Sequence, residues 1–247
     1  MRTAHTTRLE LSQIASFEAF RLAPSIFSAS RIGRRTSSEL DGQGLCGLDC
    51  HRVLEGDHHP VRNGAERGVH VLDVTISGST PVAEQGALTL FGGGDQSRFA
   101  DAESIFKAIA RKHFYLGPSG SGATMKLVVN SLLGIGMQAI AEALVLGERA
   151  GLDRKRLLNV LSETAVVAPA HVGKLARAMD GDYSPQFPLR LMNKDFGLIL
   201  KLAAAVGARM PATRAAYEIN ATESERGREE DFSAVILQME QQASGRS

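Results

Sequence analysis

The chain has few of the residues on which several large protein classes depend. Its two cysteines in 247 residues are too few for a disulfide-linked secreted scaffold, and they fit a reducing compartment such as the cytoplasm. Tryptophan is absent and aromatic residues make up 5% of the chain, which argues against binding single-stranded nucleic acid by base stacking. Basic and acidic residues number 28 and 27, so no net charge favours nucleic acid as a partner.

Long apolar runs are also missing. The nearest approach to a membrane span is 127–141, which is shorter than the roughly 18 residues expected and includes Asn130, Ser131 and Gln138. We therefore expect a cytoplasmic protein without a membrane segment. Residues 1–35 are rich in Arg and Ser, as organelle transit peptides are, but they also contain acidic residues that transit peptides avoid.

The first part of the chain, 1–67, has no clear hydrophobic period. The spacing allows a short helix over 11–21, and 31–68 has the composition of a loop or of disorder. A literal G-x-G-x-x-G occurs at Gly42, Gly44 and Gly47. We do not interpret it as a dinucleotide-binding turn, because no apolar strand precedes it and no amphipathic helix follows it.

Cysteines and histidines cluster in the same region but do not have the spacing of a metal site. The residues concerned are Cys46, Cys50, His51, His58 and His59. Their separations match no standard zinc finger, so the sequence predicts no metal centre.

From residue 68 the hydrophobic pattern becomes regular. Apolar, β-branched runs predict strands at 69–76, 87–91 and 113–116, and helical spacing predicts a helix at 96–111. After residue 117 only helices are predicted, over 123–150, 153–162, 188–205, 211–226 and 231–241. The 123–150 helix is apolar nearly all round, so other helices or a second subunit should cover it, and we expect a homodimer or homotetramer.

Three segments carry residues suited to chemistry. The first is 73–79, a strand that runs into a turn of small residues, where backbone N–H groups and a hydroxyl can bind a carboxylate. An ordinary strand-to-loop turn has the same composition, so this segment alone does not decide between the two interpretations.

The second segment, 117–130, is a glycine-rich loop followed by a helix N-terminus, which favours anions. Lys126 and Asn130 are four residues apart and share one helix face. Lys126 is the only charge in the first turns of this helix, and burial would lower the pKa of a lysine toward a value useful for proton exchange. The alternative is a lysine whose stem packs on apolar surface while its ammonium reaches solvent.

The third segment is Met192-Asn193-Lys194-Asp195, inside an otherwise apolar helix. Lys194 has the length and charge to reach a cofactor or a substrate. The alternative, a solvated helix face, is common for charged residues.

In order and character these segments resemble the motifs of the β-hydroxyacid dehydrogenase family, which includes 3-hydroxyisobutyrate dehydrogenase and tartronate semialdehyde reductase. The family's D-x-x-V-S-G-G segment corresponds to 73–79, with Ile76 in place of Val and Ser79 in place of the second Gly. Its G-x-L-T-x-x-x-G-G segment corresponds to 86–94.

Two further motifs extend the resemblance over 68–238. The family's G-x-G-x-x-x-K-x-x-N-N segment corresponds to 120–130, with Val129 in place of the first Asn. Its K-D pair corresponds to Lys194 and Asp195. Imine reductases resemble this family but usually lack the catalytic lysine, so Lys126 favours hydroxy-acid chemistry.

The resemblance implies a role for each matched residue. Ser77, Gly78, Ser79 and Asn130 would bind the carboxylate and hydroxyl of a small 3-hydroxy acid. Lys126 would be the general acid/base that exchanges the alcohol proton while hydride moves to or from C4 of the nicotinamide. Lys194 and Asp195 would lie at the nicotinamide end of an NAD or NADP site.

The implied fold is mainly α, with the last strands of a Rossmann-like α/β sheet followed by an all-α domain like the C-terminal domain of 6-phosphogluconate dehydrogenase. We predict a degenerate or poorly ordered region at 1–67, a remnant of the NAD(P)-binding domain at 68–117, and a helical substrate and dimerisation domain at 118–247. Too few residues precede 73 for a whole dinucleotide-binding sheet. We therefore expect a truncated or frame-disrupted member of the family that binds NAD(P) weakly. The alternative function is that of a catalytically inactive helical oligomerisation module.

Overall fold

The computed structural model describes residues 46–47, 70–225 and 229–245. The sequence features assigned to 11–21, 31–45 and 48–68, the Gly42 and Gly44 positions among them, lie outside the described residues. The chain divides into two compact units, Met1–Lys126 and Leu127–Ser247. The division predicted from sequence, between 117 and 118, is based on the family resemblance and stays a prediction.

The first unit contains a four-stranded sheet in the order β1-β2-β3-β4. Strand β2 pairs in parallel with β1 and antiparallel with β3, and β3 pairs in parallel with β4. The strands are β1 (Cys46–Gly47), β2 (Val71–Ser77), β3 (Leu88–Gly93) and β4 (Ala110–Tyr115). Three short helices, α1 (Thr80–Glu84), α2 (Gln96–Asp101) and α3 (Glu103–Ile109), connect the strands from β2 onward.

The two faces of this sheet have different partners. Leu72 on β2 and Leu88 and Leu90 on β3 belong to a buried cluster with Phe99 and Phe106 of α2 and α3. Strand side chains alternate between the two faces of a sheet. Asp73 and Thr75, which alternate with Leu72 along β2, therefore lie on the opposite face. The loop before the helix that begins at Ser121, with the first turn of that helix, packs on that second face through hydrogen bonds with Asp73 and Thr75.

The predicted helix over 96–111 was wrong at its C-terminal end and in its continuity. The structure interrupts it at Ala102, which is the C-cap of α2 and the N-cap of α3, and begins β4 at Ala110. Hydrogen bonding to β3 overrides helical spacing here, because Leu88 pairs with Ala110 and the following residues continue that register. The short helix α1, with Pro81 in its first turn, was not predicted.

The second unit contains only helices among its described residues. The long helix α4 (Ser121–Arg149) begins in the first unit, and the others are α5 (Arg154–Ser162), α6 (Pro169–Met179), α7 (Leu189–Ala205), α8 (Pro211–Glu225), a 3-10 turn (Phe232–Ala234) and α9 (Val235–Ala243). The predicted helices over 123–150, 153–162, 188–205 and 211–226 are confirmed, as is the mainly α fold class. The Asp153 carboxylate caps α5 by accepting from the Arg156 amide. Helix α6 was not predicted.

Helix α4 forms the core of the second unit because its glycines let neighbouring helices approach closely. A Cβ at Gly134 would lie 2.3 Å from the Phe196 ring of α7, and one at Gly136 would lie 2.6 Å from the His171 ring of α6. The His171 Nε2 is also 2.8 Å from the Leu133 carbonyl oxygen. Helix α4 is long and apolar enough to cross a membrane, but the core helix of a soluble protein has the same length and composition. In its most apolar 18-residue stretch, 44% is buried.

Candidate active site

The carboxyl group of a residue on β2 caps the N-terminus of α4. Asp73 is fully buried, and its Oδ2 accepts hydrogen bonds from the amides of Gly120 and Ala123, each at 3.0 Å. The sequence predicted that this helix N-terminus would favour an anion. The structure shows that the carboxyl group of Asp73 already engages two of the amides.

The glycine-rich loop before α4 is pressed against the strands. Thr75 Oγ1 donates to the Gly122 carbonyl oxygen at 2.9 Å. A Cβ at Gly122 would lie 2.5 Å from the Phe91 carbonyl oxygen, and one at Gly93 would lie 2.6 Å from the Pro118 carbonyl oxygen. These glycines therefore serve close packing of the loop on β2 and β3.

Asp73 lies in an environment with opposing effects on its ionisation. Burial raises the pKa of its carboxyl, and the hydrogen bonds from the amides of Ala123 and Gly120 act in the opposite direction. Its Oδ1 is buried and accepts no hydrogen bond from the described residues. Motif matching identified Asp73 only as the start of a segment, and the contact that gives it a role spans 50 residues of sequence.

The predicted substrate turn lies at the end of β2. Ser77 and Ser79 are half-buried and Gly78 is exposed. Gly78 has a φ of +140°, a backbone conformation that favours glycine, and a Cβ there would lie 2.7 Å from Leu88 Cδ2, so the Leu88 side chain would have to shift. Ser79 is the N-cap of α1, but its hydroxyl makes no capping hydrogen bond.

Lys126 is half-buried in the second turn of α4, three residues after Ala123. Asn130 follows four residues later in the same continuous helix, so the spacing that the sequence predicted is retained.

In the second unit, the structure brings together residues from two separate sequence motifs. Asn130 is 1% exposed, and its Nδ2 donates to Asp195 Oδ2 at 2.6 Å. Asp195 Oδ1 is 3.2 Å from the Nζ of Lys194, whose side chain is 46% exposed. Asp195 is thus a buried carboxylate between the candidate substrate amide and the candidate cofactor-side lysine, and Lys194 keeps access to solvent.

The family resemblance assigns Lys194 to the nicotinamide end of a cofactor site, and its side chain is 46% exposed. The two glycine-rich turns, 92–94 and 117–122, do not present free helix amides to a pyrophosphate. Asp95 caps α2 by accepting from the Arg98 amide, as Asp73 caps α4.

One groove among the described residues lies away from the predicted site residues. A groove of about 410 Å³ lies at the C-terminal end of α4, where Arg154 is paired with Glu240 at 2.7 Å, and none of the predicted site residues lines it. Within the part of the chain that the structure describes, no three His, Cys, Asp or Glu side chains are grouped to hold a metal ion. The cysteine and histidine side chains at 46–59 lie outside the described side chains.

Comparison with known proteins gives consistent matches on both sides of the glycine-rich loop. Residues 58–117 match the profile of the NAD binding domain of 6-phosphogluconate dehydrogenase. Residues 120–239 match the profile described as NAD-binding of NADP-dependent 3-hydroxyisobutyrate dehydrogenase.

Individual relatives agree with these profiles. Over 171 residues the chain is 36% identical to glyoxylate/succinic semialdehyde reductase 1 of Arabidopsis thaliana, a match that covers 69% of this chain and 59% of the relative. It is 33% identical over 183 residues to 2-(hydroxymethyl)glutarate dehydrogenase of Eubacterium barkeri, covering 72% and 60%. The crystal structure of 3-hydroxyisobutyrate dehydrogenase from Salmonella typhimurium aligns with a TM-score of 0.72 and 25% identity, covering 81% of this chain and 70% of that one.

The chain therefore spans about three fifths of the length of these two relatives. The matched region includes the strand end with Ser77, the loop and helix with Lys126 and Asn130, and the Lys194-Asp195 pair. The family is one that uses NAD or NADP as its cofactor. The chain belongs to the β-hydroxyacid dehydrogenase family.

Proposed function

We propose that the protein interconverts a small 3-hydroxy acid and the corresponding aldehyde or ketone acid, with NAD(P) as the redox partner. The observation that carries this proposal is the placement of Lys126 in a helix whose first turn is fixed on the strand that ends in the Ser77–Ser79 turn. The names of the relatives support it, since they act as a semialdehyde reductase and as a dehydrogenase of a hydroxymethyl diacid.

Each candidate residue has a chemical task in this proposal. Ser77, Gly78 and Ser79 bind the substrate carboxylate through hydroxyl and backbone N–H groups, which an extended turn with a glycine at positive φ can present. Asn130 contacts the substrate hydroxyl with the part of its amide that Asp195 does not engage.

Lys126 moves the proton. In oxidation its neutral Nζ accepts the proton of the substrate hydroxyl as the C–H bond breaks, and in reduction its ammonium returns that proton to the forming alkoxide oxygen. NAD(P), when bound, takes up or supplies the hydride. Lys194, oriented by Asp195, contacts the nicotinamide end of the cofactor.

A second candidate function is a helical oligomerisation module without catalysis. It is favoured by an exposed apolar stripe on α4, where Val128, Leu132 and Leu146 are 49%, 72% and 72% exposed. Apolar residues exposed in one row on a helix are typical of a subunit interface, and we propose that this stripe joins copies of the chain as a homodimer or homotetramer. With two cysteines and no charge excess, we propose a cytoplasmic location.

Steady-state assays on the purified chain separate the two functions. NADH and NADPH are supplied with succinic semialdehyde and glyoxylate, and NAD and NADP with 3-hydroxyisobutyrate. We expect turnover that falls about 10²-fold or more in Lys126→Ala, because a general acid/base contributes that much. Lys155→Ala, an exposed lysine on α5, is the matched control and should retain wild-type activity.

Two outcomes would contradict the dehydrogenase proposal. One is activity that Lys126→Ala leaves unchanged, which removes the lysine from the reaction. The other is a folded wild-type chain that turns over none of these substrates with either cofactor. If that inactive chain forms oligomers by light scattering and Leu132→Gln dissociates them, the second candidate function is the better description.

A further inference from the structure

We infer that Asp73 is a positioning residue: its carboxylate fixes the first turn of α4 on β2 and thereby sets the position of Lys126 relative to the Ser77–Ser79 turn. This inference rests on the proposed function, in which Lys126 exchanges the substrate proton. All of the residues concerned belong to the first unit, Met1–Lys126.

A single oxygen atom of Asp73 links β2 to the start of α4. Asp73 Oδ2 accepts from Gly120 in the loop and from Ala123 in the helix, both at 3.0 Å, so a single buried atom joins the loop to the first helical turn. Lys126 is three residues after Ala123, a rise of about 4.5 Å along the helix. A shift of the Ala123 amide therefore shifts the backbone of Lys126 by a similar amount.

The same strand carries the opposite end of the site. Ser77 follows Asp73 by four residues, about 13 Å along the strand, and alternation places both on the same face of the sheet. Thr75, which lies between them on that face, donates to the Gly122 carbonyl oxygen at 2.9 Å. Two hydrogen-bonding side chains of β2 thus hold the helix that carries Lys126, while the end of β2 carries the candidate substrate turn.

Steric contacts leave the loop little room for an alternative position. Gly93 and Gly122 permit backbone approaches that a Cβ would block, at 2.6 and 2.5 Å from carbonyl oxygens. A buried carboxylate is costly, and burial here raises the pKa of Asp73, so a carboxyl group at this position suits a task that an apolar side chain cannot perform. Charge-assisted hydrogen bonds to helix-terminal amides are about twice as strong as neutral ones.

The test compares Asp73→Ala, Asp73→Asn and Thr75→Val in the full chain, with the exposed Asp101→Ala of α2 as matched control. The first readout does not depend on activity. It is the rate of reductive methylation at Lys126, measured by peptide mass spectrometry and normalised to the exposed Lys112 of the same molecule. We expect Asp73→Ala to change this ratio about 3-fold or more, and Asp101→Ala to leave it unchanged.

The second readout is the split between kcat and KM. We expect Asp73→Ala to lower kcat about 10²-fold with a KM within about 3-fold, because a misplacement of about 1 Å costs that much in rate. Asp73→Asn retains an acceptor oxygen for the two amides, so it should recover at least about tenfold of that loss. Thr75→Val should act in the same direction with a smaller effect.

The two readouts keep the inference separate from the proposed function. If the wild type has no activity, the proposed function fails and the methylation ratio still decides the positioning role. An unchanged ratio in folded Asp73→Ala, with circular dichroism like that of the wild type, would overturn the inference. Should Asp73→Ala fail to fold, unchanged ratios in both Asp73→Asn and Thr75→Val would overturn it equally, and a changed ratio in Thr75→Val would support it.

Discussion

Replacing Asp231 by alanine removes the carboxylate on which three segments of the helical unit converge. Its Oδ2 accepts from Lys174 Nζ at 2.6 Å and from the amides of Gln186 and Phe187 at 3.0 Å each. Its Oδ1 accepts from the amide and hydroxyl of Ser233 at 3.1 and 2.8 Å. The side chain thus ties α6, the segment before α7 and the turn before α9 to one buried point.

Substitution of Asp231 and substitution of Lys174, the two partners of this ion pair, should lower the free energy of unfolding by different amounts. In Asp231→Ala, the buried Lys174 ammonium keeps the Gln186 Oε1 at 2.9 Å and the Phe232 ring at 5.2 Å, and three backbone amides lose their acceptor. Removing one partner of a buried pair costs about 3 to 5 kcal/mol. In Lys174→Met, Asp231 keeps four of its five donors, so we expect about 1 to 3 kcal/mol, the usual cost of one buried unmet hydrogen bond.

Urea unfolding of the full chain, followed by far-ultraviolet circular dichroism, measures both changes. Asp180→Ala, an exposed aspartate at the end of α6, is the matched control and should stay within about 0.5 kcal/mol of the wild type. A Lys174→Met variant that loses as much stability as Asp231→Ala, or more, would refute the reasoning, because it would make the lysine rather than the carboxylate the centre of the network.

The same pair predicts a dependence on pH. Burial opposes ionisation of Asp231, but the hydrogen bond and charge of Lys174, with the Phe187 amide and Ser233, bring the pKa of the carboxyl below its ordinary value. A lowered pKa in the folded state means that the stabilisation is present above the ordinary pKa of about 3.9 and is lost as the pH falls through the folded value. Unfolding free energy should therefore decrease below about pH 4 in the wild type, and this decrease should be smaller in Asp231→Asn.

Three other predictions follow from the site and from α4. Gly122→Ala should destabilise the chain by about 1 to 3 kcal/mol or more in urea unfolding, because its Cβ would overlap carbonyl oxygens of β2 and β3, while Gly173→Ala, which meets nothing within 4 Å, should not. Leu132→Gln and Leu146→Gln should weaken self-association measured by light scattering, whereas Glu163→Gln on the exposed end of α5 should not. Calorimetry should give NADPH a dissociation constant weaker than about 10 μM, and tighter binding would reveal a cofactor site outside the residues described.

Sequence reasoning succeeded where periodicity and terminal signals agree. Helix α7 begins after Pro188 and ends before Gly207, whose φ is +72°, and both signals are legible without a structure. Helix α6 was missed, although Pro169 in its first turn precedes buried residues at His171, Lys174, Leu175 and Ala178. The i, i+3, i+4, i+7 spacing was present, but a buried histidine and lysine hid it from a search for apolar residues.

The Asn130–Asp195 contact shows the limit of motif reasoning at the site. The family motifs identified both residues, but they assigned Asn130 to the substrate and Asp195 to the cofactor. The structure adds that their side chains share a 2.6 Å hydrogen bond across 65 residues of sequence. Such a pairing depends on how α4 and α7 pack, which no local pattern encodes.

A glycine-rich turn before a helix can serve either to bind phosphate or to pack closely on neighbouring strands, and the contacts at such a turn show which of the two applies. Free amides at such a turn bind phosphate, whereas a turn pressed onto neighbouring strands needs glycine because no Cβ fits. In the loop at 117–122 the second use applies, because Asp73 engages the amides of Gly120 and Ala123 and the backbone of β3 leaves no space at Gly122. The negative charge that a helix N-terminus favours is here part of the fold. Because Asp73 already engages these amides, a pyrophosphate would have to be held by other residues, and in the proposed function the next turn of α4 supplies Lys126 to the substrate.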